Sequence, residues 1–205
     1  MRARLRLIGA VLVVVPALAA ALAGCATTDA PRPGAAEVAP AADCLAPQVV
    51  EDLGLRLDSS GAARSASADA PAPGAVPQGF TPVGAIVCET GGQLTDSKGI
   101  WDSVTVRHLE GDLDPLLAAL DRPSAVRSSD PTCAAVREVA SELWLVDALG
   151  RGIRAAQPVD ACGTTQRPVV RALDQLDEVD VTRFPVHLAA ARAGAPTPTT
   201  GPGGG

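Results

Sequence analysis

Short apolar runs from residue 84 onward predict five β-strands. The runs are rich in β-branched residues and bounded by glycine, proline or aspartate, as expected for the strands of a small sheet. Glycines separate the third run from the fourth and favour a hairpin there. The predicted strands cover residues 84–90, 101–109, 143–147, 152–157 and 179–188, and residues 91–99 are predicted to be a loop.

Apolar residues at helical spacing predict three helices. The first is a short element within residues 47–57. The second begins after Asp112 or Asp114, either of which can cap it, and ends before Pro123. The apolar stripe of the second helix is formed by Leu113, Leu116, Leu117 and Leu120, and that of the third by Val169, Leu173 and Leu176.

The element order from residue 80 onward is β-β-α-β-β-α-β. This order predicts an α+β fold, a small antiparallel sheet with two or three helices on one face. Stretches of Ala, Pro, Gly and Ser without periodicity predict a disordered N-terminal tether, a linker and a disordered C-terminal tail. The expected division is a signal peptide 1–24, a tether 25–42, a short helical element 43–57, a linker 58–79, a compact domain 80–188 and a tail 189–205.

The N-terminus has the features of an export signal, three arginines followed by an apolar segment at residues 7–23. That segment is shorter than the about 20 residues that span a bilayer. The residues Leu22-Ala23-Gly24-Cys25 resemble the lipobox of bacterial prolipoproteins. The resemblance implies cleavage before Cys25, a lipid on its thiol and a mature protein anchored to the extracytoplasmic face of the membrane. Cleavage near Ala23 without a lipid and a retained span are the alternatives.

Removal of residues 1–24 makes the protein distinctly acidic. The cleavage leaves 14 Lys and Arg against 23 Asp and Glu, a net charge of −9. Such a charge gives the chain no electrostatic attraction to nucleic acid or to anionic lipid. The predicted membrane contact is therefore the lipid on Cys25, and we expect charge repulsion to hold the domain off the bilayer.

Four cysteines remain once Cys25 is assigned to the lipid. An even number in an exported chain predicts two disulfides, with three possible connectivities. We favour Cys133–Cys162, which brackets the predicted hairpin, and Cys44–Cys88, which would join the first helix to the first strand. The cysteines lie 44, 45 and 29 residues apart, unlike the close pairs of zinc sites, so neither a metal nor another cofactor is expected.

Most of the chain is similar to uncharacterised lipoproteins of high-GC Gram-positive bacteria. The resemblance rests on the lipobox, the Pro/Ala tether, "VDALGRGIRAAQPVDACG" and the Gly-rich tail, and implies no known activity.

A second resemblance is to the subtilisin-inhibitor family, in "AIVC", "EGDLDPLLAAL", "TCAAVREV", "LWLVDALGRGI" and Cys162. It implies a protease-contact loop within residues 133–139, formed by Cys133, Ala134, Ala135 and Val136. The chain departs from that family because Cys44 replaces the usual partner of the first strand's cysteine, and because no proline follows Cys133.

Candidate catalytic and ligand-binding side chains have ordinary structural interpretations as well. His108 and His187 could act as bases, but no nucleophile motif accompanies them. The acids Glu110, Asp112 and Asp114 are better explained by capping of a helix start than by hydrolysis. Four arginines could bind a phosphate or carboxylate, although a scattered surface explains them better: Arg151, Arg154, Arg167 and Arg171.

The two tryptophans are interpreted differently. Trp144, inside "LWLV", is expected in the core, and Trp101 is the better candidate for a surface anchor.

Three functions remain open at this point. The first is a non-enzymatic envelope lipoprotein whose domain binds a protein or a cell-wall polymer. The second is a protease inhibitor acting through residues 133–139, and the third is an exported hydrolase that uses one of the histidines. The sequence identifies neither the ligand nor the oligomeric state.

Overall fold

The computed structural model describes residues 30–59, 65, 69–129, 133 and 141–192. Three short helices each carry a proline in the first turn, where its missing N–H costs nothing. The predicted order β-β-α-β-β-α-β is confirmed after the first helix. The elements in chain order are α1 (Pro47–Asp52), β1 (Pro82–Thr95), β2 (Gly99–Glu110), α2 (Asp114–Leu120), β3 (Ser141–Asp147), β4 (Gly152–Arg154), α3 (Arg167–Leu173) and β5 (Asp177–Ala191).

The strands form one antiparallel sheet in the order β4-β3-β1-β2-β5. The α+β fold with an antiparallel sheet and two disulfides is thus confirmed. β5 lies at one edge, which suits Pro185 because an edge strand tolerates a residue without a backbone N–H. No helix among the described residues is long and apolar enough to cross a membrane.

Alternate residues along the strands divide the core between the two faces of the sheet. On one face, Val87 and Leu145 pack with the apolar residues of α2 and α3. On the opposite face, Cys88, Val104 and Trp144 pack with α1. Two helices therefore share one face, as predicted, and α1 lies on the other. We call the surface under α2 and α3 the helix face.

The residues expected to be tether and linker pack against the domain where the structure describes them. Ala36 is buried, and its N–H donates to the Ala75 carbonyl at 2.8 Å. Ala39 and Gly152 exchange two backbone hydrogen bonds of 2.8 and 3.0 Å, and the Gly74 N–H donates to the Arg154 carbonyl at 3.0 Å. These bonds cover the free edge of β4. The structure therefore shortens the expected tether 25–42 and places residues 69–79 of the linker within the domain.

The predicted loop at residues 91–99 is corrected by the structure, because β1 continues to Thr95. The register shifts between Thr90 and Gln93, which accommodates an extra residue in β1. A Cβ at Gly91 would lie 2.5 Å from the Ser103 hydroxyl oxygen. Gly91 therefore suits this position because the neighbouring strand lies so close. In the sequence, the same glycine was interpreted as a loop signal.

Both favoured disulfides are present. Cys44–Cys88 joins the segment before α1 to the central strand, with its Cα atoms 5.5 Å apart. Cys133–Cys162 brackets β3 and β4, with its Cα atoms 4.9 Å apart. The signal peptide, Cys25, residues 134–140 and residues 193–205 lie outside the described residues.

Candidate functional site

A cleft of about 520 Å³ opens on the sheet face opposite α2 and α3. Its volume falls within the range of about 300–1,000 Å³ that is usual for ligand sites. The floor is formed by strand residues, and one wall by the segment that leads into α1. We call this site the sheet cleft; it is lined by Ala42, Asp43, Cys44, Leu45, Ile86, Val106, His108, Thr182 and Phe184.

Strand register brings the floor of the cleft together. Val106 pairs with Thr182, and His108 pairs with Ile86 of β1. Because these positions alternate with residues of the helix face, their side chains all point to the opposite face. The six residues of α1 cover Val104 and Trp144. They do not extend over the floor of the cleft, where most side chains are half-exposed.

The wall of the cleft is held by Asp43 and the adjacent disulfide. Asp43 Oδ1 accepts the Leu45 N–H at 2.8 Å, and its Oδ2 accepts the Ser65 hydroxyl at 2.8 Å. Cys44 is bonded to Cys88, whose side chain is fully buried in β1. The wall is therefore fixed to the floor covalently, which favours a pre-formed site.

The described residues of the sheet cleft do not form a catalytic arrangement around His108. His108 lies opposite Asp180 in the register, but the Thr182 hydroxyl donates to Asp180 at 3.2 Å. Among the described residues, no hydrogen bond or ion pair joins His108 to a carboxylate or a hydroxyl. His187 lies further along β5 and pairs with Asp102 of β2, so the two histidines do not share a site.

The predicted acidic group serves the start of α2. Asp112 Oδ1 accepts the Asp114 N–H at 3.0 Å, so one side chain bonds a backbone donor at the helix start. Asp114 lies in the first turn, where its negative charge suits the helix dipole. The N-cap position is Leu113 and no side-chain cap hydrogen bond is formed there, so the prediction that Asp112 or Asp114 caps the helix is wrong. Glu110 is the last residue of β2.

The four arginines considered as a group do not form one site. Arg151 pairs with Asp147 in the β3–β4 hairpin. Burial raises the pKa of Asp147, but hydrogen bonds from the Arg151 side chain and from the Arg151 and Leu149 N–H groups outweigh it, so the pKa is lowered. Arg154 points into the protein, whereas Arg167 and Arg171 are exposed on α3.

Arg154 joins three parts of the chain beneath α1. Its Nη2 lies 2.6 Å from a carboxylate oxygen of Asp52 in α1 and 2.6 Å from one of Glu142 in β3. Its Nη1 donates to the Pro71 carbonyl at 3.1 Å. The side chain is 2% exposed, so Arg154 is a buried structural cation rather than a ligand-binding one.

The tryptophans are both buried. Trp144 packs in the core beside α1, as predicted. Trp101 is 6% exposed, so it does not provide the surface anchor that the sequence suggested.

A second, smaller cleft lies near Ala30 on the opposite edge of the sheet. It has a volume of about 180 Å³ and lies between residues 32–33, 74–76 and the end of α2. Its rim carries Arg32, Asp121 and Arg122. This cleft was not predicted, because two of its walls were assigned to the tether and the linker rather than to the domain.

The sheet cleft was also missed, although its residues carry a usable signal. Thr182 and Phe184 alternate along β5 on the same face as Val106 and His108 of β2. The prediction of two or three helices on one face leaves the other face of the five strands without a cover, and this points to an open surface.

The predicted protease-contact loop, apart from Cys133, lies outside the described residues and stays a prediction. Within the described ranges, no group of three His, Cys, Asp or Glu side chains is arranged to hold a metal ion. Comparison of the chain with protein-family models, with characterised proteins and with solved structures found no match.

Proposed function

We propose that the mature protein is a lipid-anchored module of the extracytoplasmic membrane face that binds a partner protein in the sheet cleft. The anchor is supported by the lipobox Leu22-Ala23-Gly24-Cys25 and by two disulfides of the kind that persist outside the cytoplasm. The observation that supports binding is the sheet cleft itself.

The chemistry of the cleft favours a protein segment with an apolar side chain and a nearby basic group. Ile86, Val106 and Phe184 supply an apolar floor, which a protein side chain fills better than a hydrated sugar polymer. Asp43 and Asp180 supply negative charge at the border. A basic group beside the apolar anchor would complement this charge.

Binding fits the polar groups of the cleft better than hydrolysis does. Both carboxylate oxygens of Asp43 already accept hydrogen bonds, and the Thr182 hydroxyl donates to Asp180. General-base catalysis needs a base within hydrogen-bond reach of a nucleophile. His108 has no such partner among the described residues, so the side chains favour recognition over bond cleavage.

Photocrosslinking tests the binding site directly. Benzoylphenylalanine replaces Ala42 or Thr182, on opposite sides of the sheet cleft, in the full chain expressed in cells that make it. Both positions are expected to give an adduct with the same partner protein, because both face one bound segment. Membrane fractions are resolved by electrophoresis, and the adduct is identified by mass.

The matched control carries the same crosslinker at Leu149, an exposed position in the β3–β4 turn. We expect no common adduct there. Equal labelling from Leu149, or no adduct from Ala42 and Thr182 in a folded protein, contradicts the proposed site.

A further inference from the structure

Ala30, the first described residue, lies close in the chain to Cys25, the proposed site of the lipid. The Ala30 N–H donates to the Ser124 carbonyl at 3.0 Å, so the domain is already ordered at residue 30. Cys25 precedes Ala30 by five residues, and five residues span at most about 17 Å. If Cys25 carries the lipid, as the proposed function holds, the surface around Ser124 lies within that distance of the bilayer.

Basic side chains surround this attachment point. Arg32 pairs with Asp121 at 3.5 Å, and the Arg122 Nε donates to Gln166 at 3.3 Å, next to Arg167 at the start of α3. The guanidinium of Arg127 lies beside Gly163, 2.9 Å from where a Cβ would be. We call this surface the basic end; its arginines are Arg32, Arg122, Arg127 and Arg167, all exposed.

The two helices separate the charges of the domain. The end of α2 meets the start of α3 at Arg122 and Gln166, whereas Gly111 before α2 contacts Leu176 after α3. The helices are therefore antiparallel, and the residues far from the attachment point are acidic. These residues are Glu110, Asp112, Asp114, Asp174, Asp177 and Glu178.

We propose that the basic end lies on the anionic phospholipid surface and orients the anchored domain, so that local attraction at this end replaces the repulsion expected from the total charge. Within the described ranges, the four arginines outnumber the nearby carboxylates Asp121 and Asp160, whereas Asp29 and Asp130 lie in flanking segments that those ranges leave out. At physiological ionic strength, charges beyond about 8 Å are screened. The basic end therefore interacts with the lipid phosphates, while the total charge of −9 resides mainly on surfaces too distant to oppose it.

This orientation gives the sheet cleft a definite position. The cleft lies on the sheet face opposite the helices and beside β5, whereas the attachment point lies near β4, on the other edge. With the basic end on the lipid, the cleft is turned away from the attachment point and stays accessible to a partner.

Fluorescence quenching at two matched positions tests the orientation. A fluorescent amino acid replaces Val126 at the basic end or Val179 at the acidic end, which are 51% and 53% exposed. The lipidated full-length mature protein is reconstituted in phosphatidylglycerol-containing vesicles that carry a headgroup spin label. Because the label acts only at short range, quenching at Val126 should exceed that at Val179 by about threefold or more in anionic vesicles. In neutral phosphatidylcholine, where only the tether keeps Val126 near the lipid, the ratio should be lower by about twofold or more.

Two sets of arginine and lysine substitutions separate local charge from total charge. The variant Arg32→Gln/Arg122→Gln/Arg127→Gln/Arg167→Gln should reduce the quenching ratio in anionic vesicles to the value measured in phosphatidylcholine. The matched variant Arg56→Gln/Lys98→Gln/Arg183→Gln/Arg192→Gln changes the total charge equally and should keep the ratio. All eight side chains are exposed, and thermal unfolding checks that both variants fold.

Vesicle flotation distinguishes failure of the orientation from failure of the anchor. The same quenching ratio in anionic and neutral vesicles, for protein that floats with both, overturns the orientation and leaves the anchor intact. Protein that does not float overturns both. If the basic end instead retains an isolated anionic cell-wall polymer while the ratio is the same in the two kinds of vesicle, the lipid assignment is wrong.

Discussion

Replacement of Arg154 with methionine is expected to lower the free energy of unfolding by about 3 kcal/mol, because it leaves Glu142 without its partner. Glu142 is 18% exposed, whereas Asp52 is 49% exposed and can turn to water. The bond to the Pro71 carbonyl is lost as well. For a domain of this size, the change corresponds to a fall in Tm of about 6–12 °C. Thermal and urea unfolding of the purified domain measure it.

Two further variants identify the origin of this effect. The exposed pair Arg32–Asp121 provides the matched control, and Arg32→Met should cost less than about 1 kcal/mol. The double variant Arg154→Met/Glu142→Leu removes both buried charges and should recover much of the loss. An Arg154→Met protein as stable as the parent, or a double variant less stable than the single one, contradicts the role assigned to Arg154.

Loss of the Cys44–Cys88 disulfide is expected to affect both stability and binding. The bond closes a loop with a sequence separation of 44 residues, so replacing both cysteines with alanine should cost about 4 kcal/mol through the entropy of the unfolded chain. The same change releases the wall of the sheet cleft from β1. The adduct formed from Ala42 should therefore disappear at a temperature at which the domain is still folded.

The Cys133–Cys162 disulfide provides the comparison. It closes a loop with a separation of 29 residues, and its removal should cost nearly as much, about 3.5 kcal/mol. Neither cysteine lines the sheet cleft, so the Ala42 adduct should persist. If both double variants lose the adduct equally, stability rather than the position of the wall explains the result, and the proposed role of Cys44–Cys88 is wrong.

The sequence predicted the sheet and both disulfides because local patterns specify them. Apolar alternation in β1 and β2 reports which side chains are buried, and a register error would turn Val104 and Val106 to the other face. Once Cys25 was set apart, the positions of the remaining cysteines around the hairpin and the first strand favoured the observed pairs.

Packing of the Ala-, Gly- and Pro-rich segments was not predictable in the same way. Ala36, Ala39 and Gly74 carry no periodic signal, and backbone hydrogen bonds to Gly152, Arg154 and Ala75 hold them in place. Such contacts depend on the edge of β4, which is formed by residues distant in sequence. Arg154 is a similar case, since its partners lie 12 and 102 residues away.

The candidate site could be predicted only in part. Strand patterns place Val106, His108 and Thr182 on one face, but the cleft also depends on how much of that face α1 covers. The helix has six residues, whereas the helical pattern of the sequence extended to Leu57. The basic end depends on the antiparallel packing of α2 and α3, which brings together four arginines from three separate segments.

The mass of the N-terminal peptide of the mature protein, extracted from membranes, tests the proposed anchor most directly. The account predicts a peptide that begins at Cys25 and carries a diacylglyceryl group on the thiol. A peptide in which Cys25 is unmodified, or in which it is still joined to Gly24, contradicts the assignment of the protein as a lipid-anchored module.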